Sequence, residues 1–124
     1  MAKCEPDLEE EWLLKAMEEF ASRESVLSLA YYYYRKQQWA ECNLVSKRAL
    51  EFKEKRPEFL SEGWAWGHMA YDLAAVSAWK LGLYQDAYEY GKQALKISPN
   101  DEILKQNMQS YRNKIKEMKN ANIQ

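Results

Sequence analysis

The chain contains one histidine, His68, four residues before Asp72. On a helix this spacing puts both on one face, the arrangement an acid/base pair would need. No serine or cysteine nucleophile stands beside them in sequence, so the pair reads as a hydrogen bond at a helix start and no catalytic residue is assigned. The two cysteines, Cys4 and Cys42, lie far apart, and with one histidine they form no ligand cluster. Neither a metal nor another cofactor is expected. Gly63 and Gly67 flank Trp64 and Trp66, which suits a turn rather than a phosphate cradle.

The aromatic side chains are the richer signal. There are five Trp and nine Tyr, and Tyr31, Tyr32, Tyr33 and Tyr34 are consecutive, so on a helix they point all round its axis. Some must fill a core. Others, with Arg or Lys beside them, suit stacking on a peptide side chain or a sugar ring.

The elements that position these groups are helical. With 124 residues, four Gly and three Pro, the chain has the length of one domain and lacks the turn density of an all-β fold. A net charge of -1 gives no general attraction to phosphate, but the ends differ in sign. Up to Glu24 there are eight acids against three bases; from Lys105 onward there are five bases against Glu117 alone. That opposition suggests head-to-tail contact between protomers, a homo-oligomer joined through its end helices. No apolar stretch approaches the ~18 residues needed to span a bilayer, and no signal-peptide core is visible, so no membrane partner is expected. Together with the paucity of cysteine this predicts a cytoplasmic protein.

Apolar periodicity predicts about six helices. Trp12, Leu13, Ala16, Met17 and Phe20 mark a first helix whose other face is acidic and wet. Ser22 and Ser25 offer N-cap oxygens to a second, with Val26, Leu29, Ala30 and Tyr33 on one stripe and Leu27, Tyr31 and Tyr34 on another. A third runs from Trp39 to about Lys55, and Pro57 is expected to end it or bend it. Trp66, Met69, Ala70, Leu73, Ala74, Ser77 and Leu81 trace a fourth; Tyr84, Ala87, Tyr88, Gly91, Ala94 and Leu95 a fifth. Ser98 to Asp101 form a capping turn. Leu104, Met108, Tyr111, Ile115 and Met118 seam a last helix, with fraying expected beyond Lys119.

Gly82, Tyr84, Ala87, Ala94 and Pro99 fall where a tetratricopeptide repeat has its turn glycine, turn aromatic, two small residues and terminal proline. This segment resembles the second half of such a repeat. A fainter copy places Ala30, Tyr33, Trp39, Cys42 and Ala49 at the corresponding positions. Trp39 and Tyr84 are 45 residues apart against a usual period of about 34, so the connection is long. The resemblance implies an all-α fold, an α-α superhelix of antiparallel helix pairs. It divides the chain into a cap helix (1–22), a degenerate repeat (23–56), a connection (57–67), a clear repeat (68–101) and a second cap helix (102–119). Gly91 stands where the family has an aromatic.

In that family the first helices of successive pairs line a concave surface. The resemblance therefore implies a ligand-binding groove with Tyr31, Tyr34 and Arg35 from the first copy and Asp72, Val76, Trp79 and Lys80 from the second. Gln106 and Asn113 extend it from the last helix. Leu27 and Tyr31 stand where a carboxylate-clamp repeat would have lysine and asparagine, which argues against a cochaperone. The order of Glu62, Trp64, Trp66, Asp72, Gly82, Pro99, Leu104, Asn107 and Tyr111 also resembles the helical tail of family-2 glycosyltransferases, without their catalytic domain. The expected function is a non-catalytic module binding a protein or peptide, or serving as an accessory tail of a glycosyltransferase system. The alternative is carbohydrate or small-ligand binding through Trp64, Trp66 and Trp79. The basic last helix, with Glu102 and Glu117 nearby, reads as a solvated face rather than a nucleic-acid site.

Overall fold

A computed structural model of the chain describes residues 7–19, 21–53 and 67–123. Among them are six helices and no strand: α1 (Leu8–Glu19), α2 (Arg23–Arg35), α3 (Trp39–Ala49), α4 (Met69–Lys80), α5 (Tyr84–Ile97) and α6 (Glu102–Ile123). Local chemistry sets their ends. Ser22 and Ser25 form a reciprocal capping box, with Ser25 N–H donating to Ser22 Oγ at 3.2 Å and Ser22 N–H to Ser25 Oγ at 3.0 Å. The Asp101 carboxylate accepts from Leu104 N–H at 3.1 Å and so caps α6.

The turns ending α2 and α4 are copies of one another. Gln38 N–H donates to the Tyr33 carbonyl at 2.9 Å, and Leu83 N–H to the Ala78 carbonyl at 2.8 Å. Both pass through a left-handed residue, Gln37 (φ 59°) in the first and Gly82 (φ 83°) in the second. The helix pairs are antiparallel. Arg23 at the start of α2 donates to the Phe52 carbonyl beyond α3, and His68 ahead of α4 meets Ser98 beyond α5.

Val26, Leu27, Leu29 and Ala30 of α2 pack with Cys42 and Ala49 of α3 and with Ala70, Leu73 and Ala74 of α4. Ala75 and Ala78 on another side of α4 join Ala87, Met108 and Tyr111. Small side chains on two sides of α4 let helices approach from both. The α3–α4 contact is hydrogen-bonded as well: buried Asn43 donates through Nδ2 to the Ala74 carbonyl and to Ser77 Oγ, both at 3.1 Å. Ser77 in turn donates to the Leu73 carbonyl at 2.7 Å.

Several expectations are revised. Trp12 is 71% exposed, and α1 has no buried residue. Leu13 and Met17 alone turn inward, while part of the acidic face is engaged rather than wet. Tyr32 Oη donates to Asp7 Oδ2 and Tyr33 Oη to Glu10 Oε2, both at 2.7 Å; Glu9 pairs with Arg35, and Lys36 lies 3.5 Å from Asp7. Helix α3 stops at Ala49, well short of Lys55. Glu51 and Phe52 N–H groups bond back to Arg48 and Ala49 in tightened turns, and Arg23 holds the Phe52 carbonyl. Leu81 is the C-cap of α4 and 41% exposed, not part of its buried stripe. Helix α6 continues past Lys119 to Ile123, with no Gly or Pro to stop it. The connection 57–67 lies outside the described residues except for Gly67, as do Cys4 and Phe20.

Candidate functional site

Helices α2 and α4 bring part of the expected groove together. Tyr31 and Tyr34 are 41% and 37% exposed, with stacked rings 6.0 Å apart. Tyr34 meets Trp39 edge-on at 5.8 Å, and Lys80 Nζ lies 5.4 Å over the Trp39 ring. The Arg35 guanidinium sits 5.4 Å over Tyr31 and is held by Glu9. Five side chains thus run continuously from α2 across the head of α3 to the end of α4. The short turn fixes the order, because Trp39 begins α3 only four residues after Arg35. Lys80 has no acidic partner among the described residues.

Next to this strip, Trp79 is half-buried, edge-on to Tyr84 at 5.1 Å and tilted against Tyr111 at 5.4 Å; Lys114 Nζ caps the Tyr84 ring at 5.0 Å. Val76 is half-buried. Trp79 therefore joins the α4–α6 packing and offers only part of its ring.

Asp72 occupies the other end of α4. Burial pushes its carboxyl above the ordinary carboxylate range; His68 opposes that shift, Asp101 reinforces it, and a hydrogen bond from Asn107 opposes it. Burial, with Asp72 nearby, likewise raises the Tyr111 phenol. The His68 ring does not bond at the helix start. His68 is the N-cap of α4 without a side-chain cap, and its Nδ1 lies 2.9 Å from Ser98 Oγ. His68 and Asp72 thus tie α4 to α5 and α6. Among the described residues no group of three or more His, Cys, Asp or Glu could hold a metal ion.

Gln106 and Asn113 are exposed on the side of α6 away from Leu104, Met108 and Tyr111, and the structure does not bring them onto the α2–α4 face. Asn113 accepts from Gln109 at 3.1 Å. Trp64 and Trp66 lie outside the described residues. Sequence reasoning placed Trp39 at a turn but not in the binding strip. Its signal is the 45-residue offset that equates Tyr34, Arg35 and Trp39 with Trp79, Lys80 and Tyr84.

No described helix is long and apolar enough to cross a membrane. Compared with known proteins, the chain matches no family model and no curated relative.

Proposed function

We propose that the chain is a non-catalytic helical-repeat module that binds a peptide or protein along the Tyr31–Tyr34–Trp39–Lys80 strip. The observation supporting this reading is a row of contacting rings, the exposed Tyr31 and Tyr34 stacked and the half-buried Trp39 edge-on to Tyr34, ending on a cation without an acidic partner among the described residues, in a fold whose core lies elsewhere. Aromatic faces contribute contact area at low conformational cost, and Lys80 adds a charge for a carboxylate. The fitting ligand is a peptide with an apolar or planar side chain beside an acid. The resemblance of the second half to glycosyltransferase tails supports use as an accessory module of such a system.

A peptide array displayed beside a glycan array tests the reading. Peptide ligands should lose about tenfold in affinity with Tyr34→Ala and with Lys80→Ala, while the melting curve stays unchanged. Selection of glycans alone would favour the carbohydrate alternative.

A further inference from the structure

The two ends of the helix stack carry unsatisfied features of opposite kind. On α1, Leu8, Glu11, Trp12, Lys15 and Glu19 follow one helical face, turned away from Leu13 and Met17, which pack on α2. Leu8 and Trp12 are both 71% exposed. Asp7, Glu9 and Glu10 are matched by α2, whereas Glu11 and Glu19 have no cationic partner within 4 Å among the described residues. At the other end, α5 and α6 enclose a cleft of about 350 Å³, lined in part by Tyr88, Ile115, Arg112, Lys116 and Lys119. Lys105 and Lys114 pair locally with Glu102 and Glu117, but Arg112, Lys116 and Lys119 have no acidic partner among the described residues. Among the described residues, one end is thus a helix face with a largely exposed indole set among Glu11, Lys15 and Glu19. The other is a cleft with Tyr88 and Ile115 beside the amides of Gln85, Gln109 and Asn113 and three cations, roomy enough for that indole.

We propose that these surfaces are complementary and that α1 of one copy docks in the α5–α6 cleft of the next, Trp12 entering over Tyr88 and Ile115. Burial of the indole and the attraction of Glu11 and Glu19 to the basic rim together supply affinity, and the charges also fix the orientation. The contact joins different patches on the two copies, so it is head-to-tail and leaves an open site at each end, giving chains that lengthen with concentration. This is independent of the peptide-binding reading, since Tyr31, Tyr34 and Lys80 are not used.

Sedimentation velocity on the full chain provides the test. The average mass should rise with protein concentration at about 0.1 M salt. It should fall toward the monomer near 1 M, where the screening length drops from about 10 Å to about 3 Å. A head variant, Glu11→Lys with Trp12→Ala, and a tail variant, Arg112→Glu with Lys116→Glu, change only exposed side chains. Each should be monomeric alone, with the melting temperature of the parent. Mixed, they should form a one-to-one dimer and nothing larger, because one intact head meets one intact tail. A parent that stays monomeric at low salt overturns the proposal, as does self-association that persists in either variant, or a mixture that remains monomeric while the parent associates. Binding of an acidic helix of another protein, or of nucleic acid, to the cleft of a monomeric parent would equally overturn it.

Discussion

The α3–α4 and α5–α6 junctions do the same job, stacking one helix pair on the next element, by opposite means. At α3–α4 the contact residues are small and polar: Cys42, Asn43 and Ser46 face Ser77, and Asn43 bridges to the α4 backbone. At α5–α6 the 45-residue counterpart of Ser46 is Gly91, and a Cβ there would lie 2.7 Å from the Tyr111 ring. One junction is a closed hydrogen-bond network; the other is a ring seated in a hole left by a missing side chain. Stacking thus needs matched volume and satisfied polar groups, not a particular residue type.

The largest effect should come from the ring. Tyr111 is 4% exposed, and Tyr111→Ala should cost about 3 kcal/mol in denaturant unfolding. Gly91→Val should cost about 2 kcal/mol through overpacking. The double variant should lose less than the two losses combined, because the valine occupies space the ring vacates. Additive losses would show that the glycine and the ring do not share one hole.

At the polar junction, Asn43→Ala should cost about 1–3 kcal/mol, the ordinary penalty for breaking a buried hydrogen-bond pair. A neutral result would mean that the small side chains alone hold α3 to α4.

A smaller contrast lies in the turns. Gly82→Ala should cost about 1 kcal/mol, and Gln37→Gly should gain a few tenths to about 1 kcal/mol, since a side chain is disfavoured at positive φ. Thermal melts of the two variants read this directly.

The weakest attachment is α1, which is held by acids. Hydrogen bonds from Tyr32 and the Glu9 backbone hold the Asp7 carboxyl below its ordinary value. That stabilisation is therefore present above pH 3.8 and lost as pH falls through the lowered value. Burial and Asp7 push Tyr32 up to about 12, so its contribution is present below pH 10 and lost as pH rises toward 12. Hydrogen exchange should show α1 amides opening at pH below 4 while α3 to α5 stay protected. Uniform loss of protection would show that α1 is not a separate unit.

Much of the architecture was readable because it is encoded locally. Ser22 and Ser25, Gly82 and Asp101 name their own caps and turns, and the apolar periods of α2, α4 and α5 name their inner stripes. The candidate strip was partly legible: Tyr31, Tyr34, Arg35 and Lys80 stand at the groove positions that the repeat resemblance implies, but Trp39 joins them only because the turn folds it back. Gln106 and Asn113 failed to join because a period shows that a helix has a face without showing how that face is turned.

By itself the sequence determined an all-α chain of six helices with opposite charge at its ends, since helix period, capping and composition act within a few residues of one another. Tertiary structure alone decided that Tyr32 and Tyr33 hold an acidic helix, that Trp12 faces outward, that His68 reaches Ser98 and that Gly91 receives Tyr111. Each depends on which surfaces meet across 20 or more residues of chain, and on the volume and hydrogen-bonding groups found there.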